Sequence, residues 1–396
     1  MQTLIIHGRQ PALGRAELES LFGADALKAA GRSATIVDKD PAGINFFRLG
    51  GMVKFCKVLT EVDTTDWNEI EQFLIQVSPG HADRLDAGKL TIGLSLYGFD
   101  VTAGRINATG LKLKKAVKNT GRPVRIVPNK QTELNAAQVL HNKLTQKLGW
   151  ELVFVRNGHK TLVAQSIAVQ DIESYAARDQ ARPYRDARIG MLPPKLAQII
   201  INLAVNQKQP KTLCDPFCGS GVVLQEALLM GYDATGSDIN PRMVEYTEKN
   251  LDWLIRQGRK VCPGAVEPGK NYSASVADAA KIKINEADTI ASEVFLGSPL
   301  SSLPDSKKLS GIIQECDEIS EKFLKNTASQ TKSGFRMCLA VPAWKIKNGF
   351  LHLSTLDKLA DLGYNRVSFV NASEEELIYF RPEQVVAREL IVLERK

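Results

Sequence analysis

The chain has 396 residues, of which 44% are hydrophobic and 24% are charged, the balance expected of a globular protein. This length is too great for one ordinary hydrophobic core, so we expect two or more domains. No apolar run reaches membrane-spanning length, and residues 1–25 lack the basic start and apolar centre of a signal peptide, so we expect no membrane association and a cytoplasmic location.

The first 170 residues are predicted to form an α+β region. Apolar runs bounded by turn signals predict strands at 3–7, 35–37, 45–49, 90–96, 124–127, 151–155 and 161–167. Helical spacing predicts helices at 14–22, 107–119 and 133–148, together with a helix that Asp66 caps. Asn157-Gly158, between the last two strands, is a strong hairpin signal. We divide this region into an N-terminal domain at 1–65 and a second domain at 66–170.

The net charge of +7 is concentrated in residues 101–130, which hold eight Lys or Arg and no Asp or Glu. Subtracting these eight from the 51 basic residues leaves 43, against 44 acidic residues in the whole chain. Such a patch favours binding to a polyanion, although a solvated helix face is the alternative interpretation. The candidate RNA-binding residues are Lys112, Lys114, Lys115, Lys118, Arg122 and Arg125.

The rest of the chain is predicted to be a linker at 171–190 and an α/β domain at 191–396. A helix is expected to start at Pro193 and Pro194, and another covers 304–331. Strands are predicted at 211–217, 234–239, 273–277, 288–292, 335–341 and 366–370, followed by a hairpin of 377–380 with 385–393. The alternation of strands and helices predicts a mostly parallel sheet covered on both faces.

A glycine turn follows the first strand of this domain. The strand ends at Asp215, the turn carries Gly219 and Gly221, and the next strand ends at Asp238. Glycines let backbone approach a nucleoside closely, and the second acid accepts ribose hydroxyls. A dinucleotide fingerprint would need a third glycine where Leu224 stands, and a P-loop would need Gly-Lys-Ser/Thr.

The turn therefore resembles motif I of S-adenosylmethionine-dependent methyltransferases. By that resemblance, the glycine turn holds the methionine end of the cofactor and Asp238 holds the ribose. Asp278 stands where such enzymes place an acid against the adenine amino group, with an ordinary loop aspartate as the alternative. The candidate cofactor-binding residues are Asp215, Pro216, Phe217, Gly219, Gly221, Asp238, Ile239, Asp278 and Ala279.

The candidate catalytic residues are Ser292, Glu293 and Phe295, after the fourth strand. Enzymes that methylate exocyclic amines of bases carry Asp/Asn/Ser-Pro-Pro-Tyr/Phe here, where acceptors localise the amine lone pair and an aromatic ring stacks on the base. Ser292 and Phe295 match the ends of that motif, whereas Glu293 and Val294 replace its prolines. Two interpretations of Glu293 are open. Either it replaces the motif's acceptor for the amine N–H, or acts as a base, or it marks a degenerate site. A second register aligns Glu293 with the acidic position and Leu296 with the aromatic one.

Short segments along nearly the whole chain carry a family resemblance. They are His7–Pro11, Ala16–Leu18, Leu49–Gly51, Leu94–Gly98, Leu111–Lys115, Arg122–Arg125, Met191–Ala197, Tyr379–Pro382 and Gln384–Val386. They are similar to segments of the THUMP-domain tRNA guanosine-N2-methyltransferases of archaea and eukaryotes.

This resemblance implies methyl transfer to the 2-amino group of a guanosine in the tRNA D-arm, at position ten in the best-known members. It implies a Rossmann-like class I methyltransferase domain, with a mostly parallel seven-stranded sheet and a C-terminal hairpin. It also implies a THUMP domain that grips tRNA, particularly its acceptor end. Eukaryotic relatives need a small zinc-binding activator protein, for which no docking surface is evident in this sequence.

Two other functions stay open at this point. One is a DNA adenine or cytosine amine methyltransferase, which would leave the THUMP-like segments without a purpose. The other is a non-catalytic RNA-binding protein with a degenerate methyltransferase domain. The six cysteines include no Cys-x-x-Cys pair, so we expect no metal site and no disulfide framework, and Cys214 and Cys218 are interpreted as apolar fillers.

Overall fold

The computed structural model describes residues 2–185, 191–207, 210–258, 261, 271–284 and 287–396. The chain forms two compact units, each assembled from several segments. The first comprises Met1–Pro11, Asp25–Phe46 and Met52–Ile172. The second comprises Ala12–Ala24, Phe47–Gly51 and Glu173–Lys396, so two short N-terminal segments belong to the unit that holds the glycine turn. No helix among the described residues combines the length and apolar character needed to cross a membrane.

The first unit is built on one eight-stranded sheet. Its strands are β1 (Thr3–His7), β2 (Leu27–Ala30), β3 (Ala34–Val37), β4 (Met52–Val62), β5 (Leu90–Tyr97), β6 (Val124–Ile126), β7 (Gly149–Asn157) and β8 (Lys160–Val169). Their order across the sheet is β2-β3-β1-β4-β8-β7-β5-β6, and β5 runs parallel to both of its neighbours. Because β4 pairs with β8, strands from both sides of the boundary expected between residues 65 and 66 share one sheet.

The helices of the first half of the chain are α1 (Pro11–Phe22), α2 (Trp67–Ala82), α3 (Ala103–Lys118) and α4 (Ala136–His141). The predicted cap of α2 is confirmed, since the Asp66 carboxylate accepts hydrogen bonds from the backbone N–H groups of Asn68 and Glu69. The predicted hairpin around Asn157-Gly158 is also confirmed, as β7 and β8.

Two predicted elements of this half were wrong. The helix expected at 133–148 is limited to α4, and Lys143 beyond it has a positive φ of 55°. The chain turns at this point, and Gly149 packs closely against the turn. A Cβ on Gly149 would come within 2.1 Å of the Lys143 carbonyl oxygen. The strand expected at 45–49 is a 3-10 turn at Phe46–Arg48.

The second unit is built on a sheet of nine strands. They are β9 (Thr212–Asp215), β10 (Asp233–Asp238), β11 (Tyr272–Val276), β12 (Thr289–Glu293), β13 (Arg336–Ile346), β14 (Gly349–Leu351), β15 (Tyr364–Arg366), β16 (Ile378–Tyr379) and β17 (Val386–Arg395). Seven of them follow the order β11-β10-β9-β12-β13-β17-β15, while β14 pairs with β13 and β16 with β17. The first five on this path are parallel and β17 is antiparallel, so the mostly parallel sheet with a C-terminal hairpin is confirmed.

The strand order of this sheet reverses at β9, whose neighbours are β10 on one side and β12 on the other. Such a reversal opens a crevice at the carboxyl ends of the strands, where open α/β sheets bind their ligands. The helices of this half are α5 (Ile172–Gln180), α6 (Pro194–Val205), α7 (Val222–Leu229), α8 (Pro241–Gln257) and α9 (Ser306–Gln330). The expected linker at 171–190 therefore contains α5, and its residues 186–190 lie outside the described residues.

From Ala12 onward, α1 is packed into the second unit by two acidic side chains. The Glu17 carboxylate is fully buried and accepts hydrogen bonds from the N–H groups of Gly50 and Gly51, both at 2.8 Å, and from Asn202 Nδ2 at 2.7 Å. Burial raises the pKa of Glu17 to about 7, although these hydrogen bonds oppose the shift.

The second acid explains a wrong strand prediction. Glu19 accepts hydrogen bonds from the N–H groups of Val370 at 2.7 Å and Asn371 at 2.8 Å. Backbone N–H groups used in this way cannot join a sheet ladder. The strand expected at 366–370 is wrong beyond Arg366, where β15 ends, and these two hydrogen bonds keep residues 370 and 371 out of the ladder.

Candidate active site

The glycine turn after β9 has a backbone that side chains would disturb. Gly219 and Gly221 have positive φ angles of 51° and 84°. A Cβ on Gly221 would lie 3.0 Å from the Thr247 side chain, whose hydroxyl donates a hydrogen bond to the Gly219 carbonyl at 2.7 Å. On β10, a Cβ on Gly236 would come within 2.6 Å of Leu224. Close packing thus requires glycine at positions 221 and 236.

Asp238 ends β10 directly beside this turn. Its carboxylate accepts hydrogen bonds from the N–H groups of Gly219 at 3.0 Å and Asn240 at 2.8 Å. Partial burial raises the pKa of Asp238, and these two hydrogen bonds oppose the shift. Next to it, Ile239 is 72% exposed, and Val276 at the end of β11 is 55% exposed. Two exposed apolar side chains at neighbouring strand ends form a surface suited to a flat apolar ligand.

Asp215 is buried below the same edge. Ser292 Oγ donates a hydrogen bond of 2.5 Å to Asp215 Oδ1, which also accepts from the Phe217 N–H at 3.2 Å. Burial raises the pKa of Asp215 to about 7, with Ser292 opposing the shift. Ser292 is itself 0% exposed, so this hydrogen bond ties β9 to β12 below the surface.

Glu293 is the last residue of β12 and forms an ion pair with Arg388 of β17. Arg388 Nε donates to Glu293 Oε1 at 2.5 Å, and the Arg388 and Glu293 side chains are 4% and 18% exposed. Burial raises the pKa of Glu293, while the guanidinium of Arg388 lowers it. Among the described residues Glu293 Oε2 has no hydrogen-bond partner, so one carboxylate oxygen is held and the other is left available.

The other predicted site residues differ in their surroundings. Phe295 is partly buried and packs against the apolar cluster beneath β12 and β13. Ala279 is buried in that cluster, and its carbonyl accepts from Asn326 Nδ2 at 3.1 Å. Asp278 caps a turn, accepting from the Ala280 N–H at 2.9 Å, and pairs with Lys281 at 3.4 Å. The Pro216 carbonyl accepts a hydrogen bond from Ser237 Oγ at 3.3 Å.

The structure brings Asp215, Ser292 and Phe217 into direct contact, and it brings Asp238 into contact with Gly219. It does not join Glu293 to Ser292, because Ser292 points to Asp215 and Glu293 points to Arg388. Cys214 and Cys218 are both buried, and burial raises the pKa of each thiol, which keeps them protonated at neutral pH.

Sequence reasoning missed Arg388, Thr247 and Asn250. Asn250 Nδ2 donates to the carbonyls of Ser220 and Tyr184, both at 2.9 Å, and so fixes the far side of the glycine turn. The signal for Arg388 was available, since it is one of two adjacent charged residues, Arg388 and Glu389, that precede the apolar run of β17 and would need partners if buried. Thr247 and Asn250 carry no such signal, because polar residues on a helix are ordinary.

In the first unit, the predicted RNA-binding residues fall into two groups. The first group, Lys114, Lys115, Lys118 and Arg125, is exposed. The second group has partners within the unit: Lys112, which is also exposed, pairs with Glu71 at 2.7 Å, and Arg122 donates to the carbonyls of Leu85 and Asp86. Although burial opposes it, hydrogen bonds from Arg105 and Lys112 lower the pKa of Glu71 to about 2. Lys112 and Arg122 therefore make contacts within the protein, and their predicted role in RNA binding stays a prediction.

Comparison with known proteins finds a domain-family match within the second unit. Residues 182–345 match the family described as RMKL-like, methyltransferase domain (UPF0020). A tRNA (guanine(10)-N2)-dimethyltransferase of Methanothermobacter thermautotrophicus is 29% identical over 167 residues, covering 41% of this chain and 43% of that protein. The chain thus spans less than half of the length of this curated relative.

Two solved structures resemble the whole chain at low identity. TrmN from Thermus thermophilus has a TM-score of 0.53 and 15% identity, and the likeness covers 100% of both chains. SMU.472, solved in complex with SAH, has a TM-score of 0.50 and 13% identity, covering 98% of this chain and 97% of that one. The predicted Rossmann-like fold is confirmed. The predicted relation to tRNA guanosine-N2-methyltransferases is confirmed over the matched residues.

Proposed function

We propose that this protein transfers a methyl group from S-adenosylmethionine to the exocyclic 2-amino group of a guanosine in tRNA. The observation that carries the proposal is the arrangement at one sheet edge, where the glycine turn and Asp238 lie on one side of β9 and Glu293 lies on the other. The relative named as a tRNA (guanine(10)-N2)-dimethyltransferase supports tRNA as the substrate and the guanosine at position ten as the target.

The residues present fit the cofactor. The close-packed glycine backbone leaves room at Gly219, where an added Cβ would meet nothing within 4 Å. Asp238 offers carboxylate oxygens with further lone pairs to ribose hydroxyls. Ile239 and Val276 offer exposed apolar surface to the adenine ring. When bound, S-adenosylmethionine supplies a methyl group on a positively charged sulfur, which a nitrogen lone pair displaces in line.

Glu293 provides the acceptor for the amine. The amine of guanine is a poor nucleophile because its lone pair is delocalised into the ring. Glu293 Oε2 accepts one N–H of this amine, localises the lone pair on nitrogen and takes the released proton as the N–C bond forms. Arg388 keeps the carboxylate ionised at Oε1, which burial alone would disfavour. Phe295 stacks beside the base, and the buried Asp215–Ser292 pair supports the strand ends.

The N-terminal region supplies the grip on RNA. We propose a THUMP domain within residues 66–170, in which Lys114, Lys115, Lys118 and Arg125 contact phosphates. These four side chains are exposed, and residues 101–130 around them hold no Asp or Glu. Each phosphate that they neutralise releases a counterion, so this contact strengthens at low salt.

The test is methyl transfer from labelled cofactor to separate pools of tRNA and DNA. We expect label in tRNA only, and N2-methylated guanosine after digestion to nucleosides. Glu293→Gln should remove transfer while cofactor binding is kept, and Glu375→Gln, an exposed acid, should match the wild type. Label in DNA alone would identify a DNA amine methyltransferase. Cofactor binding without label in either pool would identify a non-catalytic RNA-binding protein.

A further inference from the structure

A hairpin of the second unit extends past the edge that carries Glu293. Glu293, the last residue of β12, pairs in register with Ala340 of β13, and β13 continues as far as Ile346. At about 3.3 Å per residue, Lys345 lies roughly 16 Å farther along the strand than Ala340. β13 then turns into β14, where Phe350 pairs with Lys345.

Two aromatic rings and a cation meet at this hairpin. The rings of Phe350 and Phe380 lie 5.4 Å apart at an angle of 76°, an edge-to-face arrangement. Lys345 Nζ lies 4.6 Å from the centre of the Phe350 ring and 5.6 Å from that of Phe380. Lys345 is exposed and both rings are partly exposed. Part of the aromatic surface of this pair is therefore in contact with solvent.

The charge around these rings is mostly positive. Residues 342–356, which include β14, hold Lys345 and Lys347 but no Asp or Glu. Beside Phe380, Arg381 Nε donates a hydrogen bond to the Tyr379 hydroxyl at 3.0 Å. The nearest acid along this segment of the chain is Glu383. Aromatic rings combined with Lys and Arg are the surface that single-stranded nucleic acid prefers, because every base has a face that stacks.

The same strand pair is connected to the candidate active site. Tyr379 of β16 pairs in register with Arg388 of β17, and Arg388 holds Glu293 Oε1. The position of Phe380 is therefore fixed relative to Glu293 by sheet pairing and one buried ion pair.

We propose that Lys345, Phe350, Phe380 and Arg381 form a stacking platform for an unpaired nucleotide of the RNA substrate, close in sequence to the methylated guanosine. The identification of the platform's ligand as RNA rests on the proposed function. A base removed from its stack leaves its neighbours without a stacking partner, and the platform supplies one. Stacking of one base on aromatic side chains strengthens binding by about 5- to 150-fold.

The first test measures the affinity for tRNA at fixed salt. The double variant Phe350→Leu with Phe380→Leu should weaken tRNA binding by about 5- to 150-fold. Its affinity for S-adenosylmethionine and its thermal midpoint should stay close to the wild type. Phe350→Tyr keeps an aromatic ring and should bind tRNA normally. Phe369→Leu, a partly exposed phenylalanine of the same unit, is the matched control and should leave tRNA binding unchanged.

Lys345→Gln separates charge from stacking. It should reduce the slope of log affinity against log salt by about 1, whereas the phenylalanine variants should keep the slope and lower the affinity at every salt concentration. Unchanged tRNA affinity in the double phenylalanine variant, with its fold intact, would overturn the platform. If the double variant unfolds, normal binding by Phe350→Tyr together with weak binding by Phe350→Leu still supports it, and equal binding by these two overturns it.

Photo-crosslinking separates the platform from the proposed function. tRNA carrying 4-thiouridine at unpaired positions should crosslink to the peptides that contain Phe350 or Phe380. These crosslinks would support the platform even if no methyl transfer to tRNA occurs, an outcome that would refute the proposed function alone. Methyl transfer to tRNA with crosslinks confined to the first unit would refute the platform alone.

Discussion

Replacing Arg388 with Met tests whether the ion pair keeps Glu293 ionised. The Arg388 and Glu293 side chains are 4% and 18% exposed, so the change leaves a nearly buried carboxylate without its partner. Removing one member of a buried pair costs about 3–5 kcal/mol, a large part of the roughly 5–15 kcal/mol typical of a domain. At low pH Glu293 escapes this cost by taking a proton, and only a hydrogen bond to a charged group is lost, about 1.5–3 kcal/mol.

The sign of the pH dependence follows from the direction of the pKa shift. Burial already raises the pKa of Glu293 above its unfolded value, and loss of Arg388 raises it further. The protonated carboxyl contributes stability at pH values below the pKa of Glu293 in the unfolded chain. This contribution is lost as the pH rises through the pKa of Glu293 in the folded protein. The destabilisation caused by Arg388→Met should therefore be larger at a mildly alkaline pH than at a mildly acidic pH. Methyl transfer at neutral pH should fall and partly recover at higher pH.

The measurement is denaturant unfolding of the wild type, the two single variants and the double variant at both pH values, in a double-mutant cycle with Glu293→Gln. In the Glu293→Gln background, Arg388→Met should cost less and show no dependence on pH. If Arg388→Met lowers the free energy of unfolding by the same amount in the Glu293→Gln background as in the wild type, the ion pair contributes nothing to stability and the prediction is wrong. A cost that is equal at the two pH values would also refute it.

Three other predictions concern the cofactor, the RNA and the pH dependence of folding. Asp238→Ala should weaken S-adenosylmethionine binding by roughly 10- to 150-fold in calorimetry, because a charged acceptor of ribose hydroxyls is lost; the exposed Asp361→Ala is the control, and equal affinities would reject the role of Asp238. Lys114→Ala with Lys118→Ala should flatten the salt dependence of tRNA binding by about 1 per lost phosphate contact; Lys307→Ala, an exposed lysine of α9, should not, and an unaltered slope in the double variant would mean that the patch contacts no phosphate. The pKa of Glu17 is raised from 4.5 to about 7, so its contribution to stability is full below the lower value and is lost as the pH rises through the higher one. The wild type should therefore lose roughly 3 kcal/mol of stability as the pH rises between these two values, and Glu17→Gln should not show this loss. If the pH profile of unfolding is the same in both proteins, the burial of this carboxyl is contradicted.

Much of the second unit could be predicted from the sequence because local patterns there agree with the final packing. The strand that ends at Asp215, the glycines after it and the strand that ends at Asp238 all specify one strand-turn-helix-strand unit. The structure contains that unit as β9, α7 and β10. The conformational demands on Gly219 and Gly221 are local, which is why the sequence alone displays them.

Contacts between distant residues account for the wrong strand prediction and for the partners that several candidate site residues have. Residues 366–370 have a strand-like composition, but Glu19 takes the backbone N–H groups of Val370 and Asn371. Ser292 fits an amine-binding motif, but its hydroxyl is used by Asp215, 77 positions away in the sequence. Lys112 and Arg122 fit a basic patch, but one is paired with Glu71 and the other with backbone carbonyls. In each case the partner is chosen by the tertiary fold.

The contact between Glu19 and residue 370 has a consequence for synthesis. These residues are 351 positions apart, so α1 leaves the ribosome long before its partners exist. At about 5–20 residues per second, the interval lasts about 20–70 s. During that time the apolar side of α1, which includes Leu13 and Ala16, lacks the core that finally buries it. A shortened clone that begins at residue 191 never makes this helix, and it leaves Asn202 and Asn371 without their carboxylate partners.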